Sequence, residues 1–188
     1  DDDYADELTK FAMDTWCKHI EHRPNAHGGF FQPGAYSVTV NVAHGQNQWA
    51  SVEGRKAFEP VSDCMGAVHT KCCSHDNKGP LAICRSVTKL DHARATNGTL
   101  LNWKFSPSTL VGETGRDNFI ALIEEYIHRK GMHSQFTVAS QETLVAAQKD
   151  PDSYRDLLVR VAGYSAYFVE LNKALQDDII GRTELSFD

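Results

Sequence analysis

The sequence predicts an α/β fold, because segments with a helical apolar repeat alternate with short runs rich in β-branched and aromatic residues. The 188 residues are 41% hydrophobic and 23% charged, which is typical of a globular chain with a buried core. Few candidate strands are present, fewer than a closed barrel needs. With no internal repeat or low-complexity tract, we expect one domain or a large piece of a bigger one.

The N-terminal third is predicted to hold one helix, one strand and a long loop. An amphipathic helix runs from Asp3 to about His22, and its apolar face carries Leu8, Phe11, Ala12, Trp16, His19 and Ile20. The stretch "AYSVTVNVAHG" alternates apolar and polar residues, which predicts a strand that begins at Tyr36. Polar and turn residues from Gln46 to Pro80 predict a long loop over a scaffold.

The remaining chain is predicted to alternate strands and helices. "PLAICRSV", "GTLLNWKFSP" and "HSQFTVAS" are candidate strands. One helix runs from about Glu113 to Lys130 and is capped by Gly131, and a short one follows Ser140 as its N-cap. A strand at Leu157–Val161 and a helix from about Tyr167 to Arg182 complete the chain. In that helix Phe168, Leu171, Leu175 and Ile179 are expected to pack inward.

Charge and cysteine content exclude several classes of protein. The formal net charge of −6 and the absence of a basic run argue against a nucleic-acid surface. No apolar run approaches the roughly 20 residues of a membrane helix, and no signal peptide is visible. An odd number of cysteines, five, predicts free thiols in a reducing cytoplasm rather than a disulfide framework. The cysteines are Cys17, Cys64, Cys72, Cys73 and Cys84.

The tract "CMGAVHTKCCSHDNKG" combines cysteines with His69 and His75, so a metal site has to be considered. It contains no C-x-x-C pair, and the adjacent Cys72 and Cys73 are poorly spaced to bind one tetrahedral ion. We therefore predict no metal site. Cys84 lies in an apolar run and is interpreted as a buried core thiol.

Gly163, in "LLVRVAGYSAYFVEL", is the residue that the local pattern explains least. Most glycine interruptions are surface turns bordered by Asn, Asp, Ser or Pro, and none of these precedes Gly163. Its neighbours are typical of a buried strand and a buried helix. The pattern predicts a glycine enclosed in the interior, where close packing or unusual backbone geometry would be the ordinary explanation.

"RVAGYSAYFVEL", followed by "NKALQDDIIGRTE", resembles the C-terminal signature of the glycyl radical enzymes, which include pyruvate formate-lyase and the glycerol and diol dehydratases. "KGPLAICRSVTKLDHARATNGTLLNWKFSPSTLVGETG" resembles the dehydratase and decarboxylase branch. "CMGAVHTKCCSHDNKGP" departs from that branch's pattern. The resemblance implies that residues 1–188 form the C-terminal part of a pyruvate formate-lyase-like ten-stranded α/β barrel. The glycyl radical domain would cover about 65–188, with its radical loop between a strand and a C-terminal helix.

The resemblance also implies a role for Gly163 as the residue that stores the radical. A radical on a backbone α-carbon is stabilised when that carbon is planar, and glycine has no Cβ to crowd it. Such a site must be dry and enclosed. The residues implied to support the loop are Arg160, Val161, Ala162, Tyr164 and Ser165, and Tyr36 and Val38 are implied to line the substrate site.

The radical on glycine would form a thiyl radical on a cysteine in a G-C-x-E-like motif, and the thiyl would attack a small organic substrate. None of the five cysteines has that context. The chain would therefore be inactive without an upstream half, or companion chain, that carries the thiyl cysteine. The resemblance implies no bound cofactor, because a separate activating enzyme that uses S-adenosylmethionine and a 4Fe-4S cluster installs the radical. It also implies a cytoplasmic homo-oligomer from an anaerobic organism.

Several alternatives remain open at this point. The chain is either a segment of a complete or split enzyme, or a stand-alone spare part that restores an oxygen-damaged enzyme. A catalytically inactive binding module that keeps the fold is a third possibility. Within the first class, a dehydratase, an arylacetate decarboxylase and a benzylsuccinate-type synthase all fit the residues.

Overall fold

The computed structural model describes residues 1–67 and 76–187 in full and only the backbone of 69–70 and 73–74. The helices are α1 Asp3–Ile20, α2 Val40–Gln46, α3 Pro80–Val87, α4 Gly112–His128, α5 Gln141–Lys149 and α6 Lys173–Gly181. The strands are β1 His69–Thr70, β2 Cys73–Ser74, β3 Asn102–Phe105, β4 Gln135–Val138, β5 Leu158–Arg160 and β6 Ser165–Tyr167. In the part of the chain that is described, none of the helices has the length and apolar character needed to cross a membrane.

A parallel βαβ unit forms the centre of the fold: β3 pairs with β4, and α4 makes the crossover between them. In the pairing register Asn102 lies opposite Gln135, and Trp103 lies opposite Phe136. Because side chains alternate along a strand, the aromatic residues share one face and the polar residues the other. The aromatic face packs on α3 and α4 in a core whose buried members are Cys84, Val87, Leu101, Trp103, Phe105, Leu122, Tyr126 and Leu185.

The C-terminal part adds an antiparallel hairpin, β5–β6, followed by a 3-10 turn at Phe168–Glu170 and then α6. A second core lies between the hairpin, α5 and α6, and its buried members are Ala139, Leu144, Ala147, Val159, Val161, Phe168, Leu175 and Ile179. The predicted N-cap of α5 is confirmed, since the Ser140 side chain accepts a hydrogen bond from the Thr143 N–H at 3.2 Å. Leu171, which was expected to pack inward, is only partly buried.

Two predicted strands are wrong, since both segments form helices. "PLAICRSV" is α3, which begins with Pro80 at its first turn, where proline lacks only an N–H that would have no helical partner. Cys84 is buried as predicted, on a helix and not on a strand. "AYSVTVNVAHG" contains α2, where tertiary contacts override the β-branched residues. Asn41 is completely buried there and donates from Nδ2 to Asp178 Oδ1 at 3.1 Å.

Other predicted boundaries also need correction. The last helix does not begin at Tyr167, because Ser165–Tyr167 is strand β6 and Asn172 is the N-cap of α6. Helix α4 ends at His128, and two residues later Lys130 has a φ of +65°, so Lys130 and not Gly131 has the left-handed conformation. Gly131 instead lies against the Tyr126 ring, where a Cβ would collide. The predicted loop from Gln46 to Pro80 contains the short pair β1–β2.

The expectation of no metal site in "CMGAVHTKCCSHDNKG" falls mostly outside the described residues. Cys72 and His75 are not described, and for His69 and Cys73 only the backbone is. Cys17 and Cys84 are free thiols, in line with the prediction of unpaired cysteines. Burial raises the pKa of the Cys84 thiol, which keeps it protonated and unreactive.

Candidate functional site

Gly163 lies at the tip of the β5–β6 hairpin, in a two-residue turn that the Val161 N–H closes by donating to the Tyr164 carbonyl at 2.9 Å. Its φ of +87° is in the left-handed region, which favours glycine. The prediction of an enclosed glycine is wrong for this chain, since Gly163, Tyr164 and Ser165 are exposed. Of its apolar neighbours, Val159 on β5 and Val161 and Ala162 in the turn are buried, whereas no residue of β6 is fully buried.

The side chains of Gln135 and Arg160 bind the turn that contains Gly163. Gln135 on β4 accepts the Gly163 N–H on its Oε1 at 3.0 Å. The same oxygen accepts from Arg160 Nη2 at 2.9 Å, while Arg160 Nη1 donates to Ser165 Oγ at 2.9 Å across the hairpin. Arg160 therefore joins both hairpin strands to β4, and Gln135 fixes the backbone nitrogen of the glycine.

A buried arginine anchors the last residues of β5. Arg182, just beyond α6, donates from Nη1 to the carbonyl oxygens of Arg160 at 3.2 Å and Val161 at 2.9 Å. Its Nη2 donates to Asp178 Oδ2 at 3.1 Å, and its Nε lies 3.1 Å from Asp63 Oδ2 in an ion pair. One guanidinium thus binds two backbone carbonyls and two carboxylates, and it ties the hairpin to α6 and to the loop at Asp63.

The electrostatics of this network follow from its burial. Burial disfavours the charged form of Arg182, yet the carboxylates of Asp63 and Asp178 outweigh that effect and raise its pKa, so the guanidinium stays charged. On β3, Lys104 donates from Nζ to the carbonyls of Ile180 at 3.0 Å and Arg182 at 2.8 Å. Burial lowers the pKa of Lys104 to about 8.

The other residues predicted to support the radical loop divide into a buried and an exposed group. Val161 and Ala162, which precede Gly163 in the turn, are buried, and Tyr164 and Ser165, which follow it, are exposed. Their supporting roles stay predictions.

Tyr36 and Val38, predicted to line a substrate site, lie in the loop before α2. The hydroxyl of Tyr36 accepts from Asn97 Nδ2 at 2.7 Å, and Val38 has a φ of +56°, an unusual value for a β-branched residue. Both side chains are partly exposed. The neighbouring Ser37 donates to the Asp63 carbonyl at 2.6 Å, so this loop reaches the network behind the hairpin. The substrate-lining role of Tyr36 and Val38 stays a prediction.

Sequence reasoning missed the residues that hold the turn, namely Gln135, Asn102, Asp63, Asp178 and Arg182. A signal for two of them was present: "NWKF" and "QFTV" each place polar residues in alternation with aromatic or apolar ones. In a strand buried on both faces, the polar set must find partners inside the protein. No local pattern marks Asp63, whose partners are distant in the sequence. Arg182 lies four residues after Asp178, but its other partners, Asp63 and the carbonyls of Arg160 and Val161, are distant.

One acidic group among the described residues, formed by Asp1, Asp3 and Asp6, has spacing suited to a metal ion. The ammonium of Lys89 lies among these carboxylates, 2.7 Å from Asp3 and 2.6 Å from Asp6. The lysine thus supplies the positive charge that the cluster requires.

Comparison with known proteins identifies a family whose matching region includes the Gly163 hairpin. Residues 68–169 match the family model described as Glycine radical, a match that includes Gly163 and both strands of the hairpin. The chain belongs to the glycyl radical family, and its relatives place it in the branch of the dehydratases and lyases.

Three of the similar proteins show how far the similarity extends. The chain is 56% identical over 187 residues to a (2S)-3-sulfopropanediol dehydratase of Klebsiella oxytoca, covering 100% of this chain and 23% of the relative. It is 42% identical to a trans-4-hydroxy-L-proline dehydratase of Clostridioides difficile, again over 23% of that protein. The solved B12-independent glycerol dehydratase of Clostridium butyricum superposes on 99% of this chain and 23% of its own, with a TM-score of 0.93 and 44% identity. The chain therefore spans about a quarter of the length of these relatives.

Proposed function

We propose that this chain is the radical-storing C-terminal segment of a glycyl radical enzyme, and that Gly163 carries the radical. The observation that carries the proposal is the position of Gly163 within the family match, at the tip of a hairpin that buried polar groups hold in place. Loss of one hydrogen atom from its Cα would leave a radical that both adjoining amides delocalise. The segment would store that radical between turnovers.

The surroundings of Gly163 indicate that glycine is required for its backbone conformation and not because a side chain would lack space. A Cβ built at this position would lie 3.6 Å from Leu100 Cδ1, an ordinary contact. The positive φ and the planarity that a stored radical needs are what exclude a side chain. Arg182 and Gln135 fix the residues before and at the turn, so the glycine is held in one geometry.

The exposure of Gly163 supports the prediction of an upstream half. A stored radical must be shielded from oxygen and reductants, and this chain alone leaves the turn open. The hairpin surface also exposes the apolar residues Leu158, Tyr164 and Tyr167, which are suited to being covered. We propose that the upstream part, which carries the thiyl cysteine and completes a ten-stranded barrel, covers this surface. Exposed apolar residues disfavour the stand-alone alternative.

The reaction proposed for the complete enzyme is a radical elimination of water from a small hydroxylated substrate. Named dehydratases are among the relatives with 40% identity or more over nearly the whole chain, whereas an isethionate sulfite-lyase is 43% identical over 78% of it and an indoleacetate decarboxylase of Tractidigestivibacter scatoligenes is 36% identical. The proposed sequence of events begins with an activating enzyme that uses S-adenosylmethionine and a 4Fe-4S cluster and takes one hydrogen atom from Gly163. The glycyl radical then takes the thiol hydrogen atom of the upstream cysteine, and the thiyl radical takes one from the substrate.

We propose that the complete enzyme is located in the cytoplasm.

The experiment that tests this function is anaerobic activation of the complete polypeptide followed by electron paramagnetic resonance. We expect a doublet from the single remaining α-hydrogen of Gly163. Exposure to air should then cut the chain at Gly163, because the peroxyl species formed there breaks the backbone, and mass spectrometry should find a C-terminal piece carrying Tyr164 onward.

Two variants make the assignment specific. Gly163→Ala should give no doublet and no cleavage. Gly112→Ala is the matched control, since Gly112 also has a positive φ, +79°, and open space around its Cα, and it should keep both signals. A doublet that survives Gly163→Ala, or cleavage at another residue, would mean that the radical is stored elsewhere.

A further inference from the structure

Gln135 is the side chain that binds the backbone nitrogen of Gly163. It is buried on β4, and its Oε1 accepts the Gly163 N–H at 3.0 Å. That nitrogen is one of the two groups that delocalise a radical on the adjoining α-carbon. The contact therefore bears on the electronic state of the radical as well as on the position of the turn.

The orientation of the Gln135 amide is determined by a chain of hydrogen bonds that begins at a carboxylate. Asp63 can only accept, so the nitrogen of Asn102 must face it, at 2.5 Å, and the same nitrogen donates to the Val161 carbonyl at 3.3 Å. The oxygen of Asn102 is then left to accept from Gln135 Nε2. Gln135 must consequently turn its oxygen toward Gly163, because a flipped amide would place donors against donors.

This series of hydrogen bonds ends at a buried ion pair. Asp63 is ion-paired with Arg182 at 3.1 Å, and the guanidinium of Arg182 also binds the Val161 carbonyl. Hydrogen bonds in sequence polarise one another in a low-dielectric interior, so the Gln135 oxygen is held as an acceptor. An oxygen that accepts from the N–H raises the electron density on the nitrogen, which increases its donation into a radical on the Cα.

We propose that Gln135 is a positioning residue that tunes the glycyl radical by accepting the Gly163 N–H, with Asn102 and Asp63 setting its orientation. This inference rests on the proposed function, in which Gly163 stores the radical. It predicts more spin density on the nitrogen, and less on the α-carbon, than the turn would have without Gln135.

The test uses the complete polypeptide, labelled with ¹⁵N-glycine and activated anaerobically, and measures the nitrogen and α-hydrogen hyperfine couplings by pulsed electron paramagnetic resonance. Gln135→Met keeps the length of the side chain and removes the amide acceptor. It should lower the nitrogen coupling, raise the α-hydrogen coupling and shorten the radical lifetime roughly two- to tenfold, the range expected for one neutral hydrogen bond. Gln135→Glu places a stronger, charged acceptor at the Gly163 N–H, although it loses the hydrogen bond to Asn102 Oδ1, and it should shift the nitrogen coupling in the opposite direction.

Gln176→Met is the matched control, since Gln176 is also buried but its amide binds the Phe168 carbonyl at 3.0 Å, and its couplings should equal those of the wild type. Wild-type couplings in Gln135→Met would overturn the inference and leave the proposed function intact. If Gln135→Met fails to fold, unchanged couplings in Gln135→Glu overturn it equally. No glycyl signal in the wild type would overturn the proposed function, and the inference with it.

Discussion

Helix α1 and the β3–α4–β4 unit were both predicted from apolar periodicity, yet they keep their apolar residues in opposite environments. Phe105, on β3, is completely buried, whereas Phe11 on α1 is 71% exposed. Of the helix only Cys17 is buried, and Tyr4, Leu8 and Trp16 are exposed as well. Ionic contacts attach α1 to the rest of the chain: Lys89 binds Asp3 and Asp6, and Arg94 binds Asp14 and Glu21.

One region therefore completes its own core, whereas α1 leaves its apolar face exposed in this chain. Exposed ion pairs contribute little to stability, so these contacts orient α1 more than they hold it. An apolar stripe of this kind usually marks an interaction surface. It agrees with the proposal of an upstream half, which we expect to cover this face of α1 as well as the hairpin, and the two regions are separately testable.

The largest loss of stability is expected when the buried charge of Arg182 is removed from the packed region. Arg182→Met would leave the Asp63 and Asp178 carboxylates buried without their cation, which should lower the free energy of unfolding by about 3–5 kcal/mol. Urea unfolding measures the change. Arg155→Met, which removes an arginine paired with Asp152 on the surface, is the control and should change little. Equal effects of both substitutions would contradict the account of the network.

An effect of similar size should separate the two aromatic residues. Phe105→Ala should cost about 3–5 kcal/mol of unfolding free energy, because it opens a cavity in the core. Phe11→Ala in the 188-residue chain should change it by no more than about 0.5 kcal/mol, as for other surface positions. In the complete polypeptide, Phe11→Ala should become costly. If it stays neutral there, the apolar face of α1 is not covered by the upstream half.

A smaller effect, of pH, should be confined to the packed region. The pKa of Lys104 is about 8 in the folded chain and ordinarily 10.5, so between these values the unfolded chain binds more protons. Stability should therefore rise as pH increases from about 8 to 10.5, by on the order of 3 kcal/mol at most, at about 1.4 kcal/mol per pKa unit. Unfolding measured across this range should lose that rise in Lys104→Met. A persistent rise would assign it to other groups.

The smallest effect should come from the contacts of α1. Arg94 binds both oxygens of Glu21, at 2.9 and 3.0 Å, and Asp14 at 2.9 Å. Arg94→Gln should raise hydrogen exchange of the α1 amides and leave that of α4 unchanged, because local opening of a weakly held helix needs no global unfolding. Arg116→Gln, on the surface of α4, is the control. Faster exchange in both helices would mean that α1 and α4 open together.

Predictions from periodicity were accurate where the local pattern agreed with the packing. Helices α1, α4 and α5 and strands β3, β4 and β5 lie where they were predicted. The method failed in short segments whose apolar residues suit either period. "PLAICRSV" has eight residues, and its helical start depends on Pro80, which strand propensity does not register. Strand β6 is three residues long and forms only because it pairs with β5.

The amino-acid sequence alone was enough to recognise the family and to single out Gly163 as the candidate radical residue, because a glycine with these flanking residues is a pattern that adjacent positions carry. The contacts that hold this glycine become apparent only in the folded chain. Gln135, Asn102, Asp63 and Arg182 meet through the register of a parallel strand pair and through an ion pair that joins residues far apart in the chain. The exposure of the turn was likewise decided by packing, since burial depends on what lies across the hairpin and not on its neighbours in sequence.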